Sequence, residues 1–284
     1  MIRARVKSDA WGMLAPAGLV LLAIAVVPML YVVWLSLQDR QVFRTPTFVG
    51  FENYARLLGD ARFWNALANT AYFTVLSVGA ELLLGLTFAF ALARAGRGRA
   101  LVYAAVLLPW AVPTVVSARM WEWMYNADLG VINYLLDTRV NWLGDPAFAL
   151  HAAIVMDVWK STPFVALLLL AGMQGIPRDL HQAAALDGAG AFTSFRRITL
   201  PLLMPVILVA LVFRTIDALR VFDSIYVLTG GGPADSTETL SIYAYKVLFQ
   251  TLDFGYGSAL AVAVLVITGL VSFAYARLLR GGME

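Results

Sequence analysis

Met13-Leu-Ala-Pro-Ala-Gly-Leu-Val-Leu-Leu-Ala-Ile-Ala-Val-Val-Pro-Met-Leu-Tyr-Val-Val-Trp-Leu-Ser-Leu37 carries no charged side chain. A helix needs about 20 apolar residues to cross the hydrocarbon core of a bilayer; at about 1.5 Å per residue this stretch spans about 37 Å, enough to cross with tilt. Arg3, Arg5 and Lys7 precede it, as in a signal peptide. Its apolar part is longer than a signal core of about 7–15 residues, so it reads as a retained anchor. The Ala23-Ile24-Ala25 triplet leaves a cleaved signal as the alternative.

The rest of the chain follows the same pattern. Of its 284 residues, 61% are hydrophobic and 14% charged, where soluble domains run near about 45–50% and about 25%. Five further apolar stretches have spanning length: about Ala66 to Ala93, Leu101 to Tyr125, Leu150 to Gln174, Thr199 to Phe222 and Gly255 to Ala276. Pro28, Pro109, Pro113, Pro163 and Pro205 lie within or near these spans, where neighbouring helices can re-satisfy the carbonyls that a proline frees. The expected fold is all-α, an integral membrane bundle of six transmembrane helices.

Basic residues set its orientation. With the N-terminus inside, Arg3, Arg5, Lys7, Arg94, Arg97, Arg99, Arg178, Arg196, Arg197, Arg277 and Arg280 are cytoplasmic. The outer loops then hold six basic residues, Arg40, Arg44, Arg56, Arg62, Arg139 and Lys246, among ten acidic ones. The short basic turn Arg94-Ala-Gly-Arg97-Gly-Arg99 decides it. The expectation is a multi-pass protein of the cytoplasmic (inner) membrane with both termini cytoplasmic. Its parts are an anchor helix and first outer loop (1–65), a five-helix core (66–278) and a cytoplasmic tail (279–284).

Several functions are disfavoured. A net charge of +3 with no extended Lys/Arg face argues against nucleic acid as a partner. Cysteine is absent, which rules out disulfides and thiolate chemistry, and two histidines, His151 and His181, argue against a multi-histidine metal site. None of Lys7, Lys160 and Lys246 follows a glycine, so there is no phosphate-binding Gly-Lys loop and no ATPase site. No catalytic residues, metal site or cofactor of its own is expected.

The loop between spans four and five is the most informative stretch. Pro177 suits a helix start, Asp179 meets the positive end of the helix dipole, Ala183-Ala184-Ala185 favours helix, and Gly188 can end it in the left-handed conformation. A short cytoplasmic helix with a small-residue face follows, and a second segment from about Phe192 enters span five at Leu200-Pro201. An ordinary connecting helix would read the same way.

The spacing of Gln182-Ala183-Ala184, Gly188, Ile198 and Leu200-Pro201 resembles the Glu-Ala-Ala loop of ABC importer permeases, with glutamine at the position where the family usually has glutamate. The resemblance covers nearly the whole chain, most strongly about 66–278. Tyr226-Val-Leu-Thr-Gly-Gly-Gly-Pro233 and the preceding Arg214 to Asp223 look like the maltose-type group of carbohydrate importer permeases. This resemblance implies a type I ABC importer permease fold whose residues 178–192 form a coupling helix seated in a separate ATPase. A glutamine there can still hydrogen-bond, since it both donates and accepts. The implied partners are a second permease in a heterodimer, two ATPase subunits that use the ATP, an extracytoplasmic solute-binding protein, membrane lipid and a di- or oligosaccharide or related solute.

Charges within the spans are expensive and usually functional. Arg119/Glu122, Asp157/Lys160, Arg214/Asp217 and Asp217/Arg220 are each three residues apart, on one helix face and able to pair. They either hold the bundle together or, with aromatics at similar depth, line the substrate path. The candidate path residues are Trp121, Asp157, Trp159, Lys160, Arg214, Asp217 and Tyr226. An ion-coupled secondary transporter is the alternative function, although the repeat symmetry it calls for is not visible. A membrane glycosyltransferase would need a loop with catalytic acids, and none is visible.

Overall fold

The computed structural model describes residues 15–42, 44–96 and 98–281. Met13, Arg3, Arg5, Lys7, Arg97 and residues 282–284 lie outside these, as do the side chains of Arg99 and Arg280. The chain forms two compact units: Met1–Ala61 with Ala244–Leu265, and Arg62–Tyr243 with Val266–Glu284.

Five helices are long and apolar enough to cross a membrane: α1 (Ala15–Ser36), which is followed by a short helix α2 (Glu52–Gly59), then α3 (Ala61–Arg94), α7 (Pro146–Gln174), α9 (Ala191–Leu219) and α12, whose spanning part is Phe254–Arg277. Two further helices, α4 (Arg99–Ala111) and α5 (Thr114–Met124), are together long and apolar enough for a sixth span. They meet at 96°, so the expected single rod from Leu101 to Tyr125 is broken. Proline explains the break. Pro109 sits inside α4, Pro113 opens α5, and Val112 before it is extended (φ −75°, ψ 133°), the conformation that a following proline imposes. Span five also begins earlier than expected. The segment around Phe192 does not stop at Leu200 but runs on as one helix through a π turn at Phe195–Thr199, where the Leu200 N–H bonds the Phe195 carbonyl.

Shorter elements join these. A two-stranded antiparallel ribbon pairs β1 (Gln38–Asp39) with β2 (Thr47–Phe48). Helices α6 (Val131–Leu136), α8 (Arg178–Leu186), α10 (Asp223–Leu228) and α11 (Leu240–Phe249) lie between spans.

In the first unit, polar side chains fix the end of α1. Ser36 Oγ lies 2.6 Å from the Tyr54 hydroxyl, and Asn53 donates to the Ser36 and Gln38 carbonyls, both at 2.9 Å. Arg56 pairs with Asp253 at 3.0 Å and covers the Tyr256 ring. In the second unit α7 is the centre, with α4, α5, α9 and α10 packed on it. Its buried face includes Ala149, Ala152, Ala153 and Ala166, small residues that let helix backbones approach where water supplies no hydrophobic drive. Two glycines allow the tightest approaches. A Cβ at Gly85 of α3 would sit 2.7 Å from Val165 of α7, and one at Gly172 of α7 would sit 2.7 Å from Leu203 of α9.

The glycine-rich stretch after span five is pinned onto α3. Arg62 binds Glu238 through two bonds at 2.6 and 2.8 Å, and Asn69 donates to the Asp235 and Glu238 carbonyls. Gly230 and Gly231 take φ of 61° and 93° there, a conformation that glycine adopts without steric cost.

Gly85→Val should destabilise the purified protein by about 1–3 kcal/mol through overpacking against Val165, read as a lower thermal unfolding midpoint in detergent. Gly79→Ala on the same helix, where a Cβ meets nothing within 4 Å, should not lower it.

Candidate functional site

Arg214 of α9 is 5% exposed and is bound by three carboxylates. Its Nε and Nη2 reach Glu81 of α3 at 2.5 and 2.8 Å, Nη2 reaches Asp157 of α7 at 3.1 Å, and Nη1 reaches Asp217, three residues on, at 2.5 Å. The fork to Glu81 is bidentate, the strongest arginine–carboxylate geometry. One guanidinium thus ties three spans together, and each ionisable group buried there has an opposite charge beside it.

Three of the four expected i,i+3 pairs form: Arg119–Glu122 at 2.6 Å, Arg214–Asp217 at 2.5 Å and Asp217–Arg220 at 3.9 Å. The Asp157–Lys160 pair does not. Asp157 turns to Arg214, and Lys160 Nζ donates instead to the Val112 carbonyl at the break between α4 and α5, 2.6 Å away. A carbonyl freed at a helix end has no intrahelical donor and is open to one from a neighbouring helix. Glu81, 133 residues from Arg214, has no partner that local spacing could indicate.

Two cavities, of about 290 and about 510 Å³, share Thr114, Lys160, Ser161, Arg214, Asp217 and Arg220 in their walls. The larger is also lined by Trp110, Phe164 and Phe213. The Trp110 and Phe164 rings stack 6.0 Å apart, and Phe213 meets Phe164 edge-on at 6.4 Å. Asp217 and Arg220 keep 59% and 65% of their side-chain surface exposed. Such a space presents charged donors and acceptors along one side and aromatic faces along another, at a volume within the usual ligand range of about 300–1,000 Å³.

The structure brings Asp157, Lys160, Arg214 and Asp217 together here, and it puts the two candidate tryptophans elsewhere. Trp121 and Trp159 meet edge-on at 5.6 Å, beside Tyr125, and line a separate apolar cavity of about 610 Å³ with Leu84, Phe88 and Val155. Tyr226 stacks on Phe222 at 5.2 Å. Trp110 was not among the sequence candidates; its signal was Pro109, which places it at the helix break. Among the described residues no three His, Asp or Glu side chains converge to hold a metal ion.

The loop after α7 forms the second feature. Pro177 is the N-cap of α8 rather than its first residue, and Asp179 lies in the first turn. The helix ends in a Schellman arrangement: Gly188 has φ +77°, and the Ala189 N–H reaches back to the Ala184 carbonyl at 2.9 Å. No residue of α8 is buried. Gln182 and Ala183 are exposed, Ala184 is half-buried, and Leu186 and Phe192 stand 90% and 74% exposed. Ile198 and Leu200 are half-buried, and Pro201 is exposed at the start of the apolar part of α9. His181 Nδ1 lies 2.9 Å from Ser194 Oγ, holding α8 against the beginning of α9.

An exposed small-residue helix beside a bundle of apolar spans, one of them broken over a polar cavity, is the architecture of a transporter membrane subunit. The structure superposes with a TM-score of 0.84, at 24% sequence identity and over 98% of both chains, on the crystal structure of a bacterial ABC transporter involved in the import of the acidic polysaccharide alginate. Residues 81–281 match the family described as binding-protein-dependent transport system inner membrane component, and the chain belongs to that family. It is 46% identical over 273 residues, 94% of this chain and 92% of the relative, to the trehalose/maltose transport system permease protein MalF of Thermococcus litoralis. It is 39% identical over 272 residues, 95% and 88% of the two chains, to the trehalose transport system permease protein SugA of Mycobacterium tuberculosis. As a permease of this family it is a multi-pass membrane protein.

Arg214→Met should cost about 3–5 kcal/mol of stability, because Glu81 and Asp157 are left as uncompensated buried charges. Glu81→Met added to it should restore part of the loss. Thermal unfolding of the two variants side by side checks both statements.

Proposed function

We propose that this chain is one of two permease subunits of an ATP-driven importer for a carbohydrate, a di- or oligosaccharide or a related solute. The chain carries no phosphate loop, so ATP is used by two separate ATPase subunits. In this reading α8 lies on the cytoplasmic side and seats in a groove of one ATPase, while an extracytoplasmic binding protein delivers the sugar at the opposite side of the cytoplasmic membrane. The observation that carries the proposal is the exposed α8, with its small-residue face and Gly188 stop, on a chain whose relatives are named for trehalose and maltose transport.

The cavity at the break in span three suits a sugar. Hydroxyls take hydrogen bonds from Arg220 and give them to Asp217, while the C–H faces of a pyranose lie against aromatic rings such as Trp110. Closure of the ATPases on ATP moves α8, and α7 and α9 carry that movement to the cavity. ATP and the loaded binding protein drive the change only in so far as they bind one state of the permease pair more tightly than the other.

Proteoliposomes holding this chain, a second permease, the ATPases and the binding protein should take up a labelled disaccharide when ATP is enclosed with the ATPases. An ion gradient without ATP should give none. Ala183→Trp, which puts bulk on the exposed face of α8, should cut uptake at least about tenfold, a loss of about 1.4 kcal/mol of coupling. Trp110→Ala should raise the uptake KM about tenfold, within the aromatic contribution of about 0.5–1.5 kcal/mol. Gradient-driven uptake by the chain alone would replace this reading with an ion-coupled transporter.

A further inference from the structure

The break in span three leaves the end of α4 without its next helical turn. Val112 is extended, Pro113 has no N–H, and a carbonyl at a helix C-terminal end carries partial negative charge. The group that meets the Val112 carbonyl comes from another helix, Lys160 of α7, at 2.6 Å. Its carboxylate neighbour one turn back, Asp157, is engaged with Arg214, which leaves the ammonium to the carbonyl. Lys160 also forms part of the wall of both charged cavities.

From Lys160, α7 continues to Gln174, a rise of about 21 Å. Only Gly175, Ile176 and Pro177 separate it from α8. One continuous helix therefore has the α8 loop at one end and the Lys160–Val112 bond part-way along. The residues on either side of that bond, Trp110 and Thr114, line the larger cavity.

We propose that Lys160 is a positioning residue: it pins the bend of span three to α7, so that the wall carrying Trp110 and Thr114 moves with α7 when α8 is displaced. This rests on the reading of α8 as the ATPase contact. The role differs from substrate binding, because the bond goes to the backbone of another span.

The test uses the full assembly in proteoliposomes, with Lys160→Met and Lys160→Arg. Lys160→Met should lower the maximal uptake rate and the sugar-stimulated part of ATP hydrolysis about tenfold, with the uptake KM within about twofold. Lys160→Arg keeps a charged donor and should recover most of both rates. Because the chain lacks cysteine, spin labels at Leu108→Cys on α4 and Val155→Cys on α7 report the bend directly. Their separation should be one narrow distribution, the same with and without ATP, where Lys160 is kept or replaced in Lys160→Arg, because the bend then moves with α7, and should become broad and shift with ATP in Lys160→Met. A raised KM at an unchanged maximal rate would make Lys160 a substrate contact and overturn the proposal, as would an unaltered distance response. If Ala183→Trp leaves uptake intact while Lys160→Met still broadens the distances, the pin stands and the assignment of α8 falls.

Discussion

A guanidinium at membrane depth is tolerated only where the protein supplies its counter-charges, and Arg214 has three. Charge of one sign in a bundle core is far more costly than a balanced group, and removal of one partner leaves the others exposed to that cost. Around Arg214 the structure sets Lys160 and Arg220 against Glu81, Asp157 and Asp217, three positive groups and three negative ones. This balance fixes the relative positions of α3, α7 and α9. With those helices fixed, the space between α7, α9 and the break in span three is a cavity whose polar side includes Lys160, Asp217 and Arg220 of the same cluster.

The break supplies the other half of the cavity. A straight span three would fill the space with side chains. Turned through 96°, it instead presents Trp110, the exposed end of α4 and the start of α5. Lys160 holds the bend from α7, so the cluster and the bend share a helix. The same helix leads within three residues to α8. Displacement of α8, as proposed, would act on a bundle in which α7 contributes to the cavity wall and holds the bend.

How much of this the sequence reveals depends on the range of the interaction. Long, mostly apolar runs mark the spans, because each is a property of about twenty consecutive residues. The α8 loop is legible for the same reason: Pro177, Asp179, the alanine run and Gly188 act on one another within three turns. Pairs at i,i+3 such as Arg119–Glu122 are readable from helix geometry. Glu81 is not, since its partner lies 133 residues away and only the packing of α3 on α9 brings them together. The expected partner of Lys160 is wrong because its acceptor is a backbone carbonyl, present at every residue and marked in the sequence only by the proline that follows Val112. Trp121 and Trp159 have suitable depth but face an apolar space, and depth along a helix does not specify which way a side chain points when the helix is buried on most sides. The bend angle is likewise closed to sequence reading, since Pro109 and Pro113 signal a break but not its 96°.

The central claim is that a motorless bundle takes its energy through α8, and thiol labelling of single cysteines tests it directly. The chain has none of its own, so Ala185→Cys on α8 and Tyr134→Cys on α6 can each be followed alone in sealed vesicles with an impermeant maleimide. The account predicts that residue 185 reacts only from the cytoplasmic side, quickly in the permease pair and hardly at all once the ATPases are bound, and that residue 134 reacts only from the opposite side. Labelling of 185 from the side of 134, or at the same rate with and without the ATPases, would contradict it.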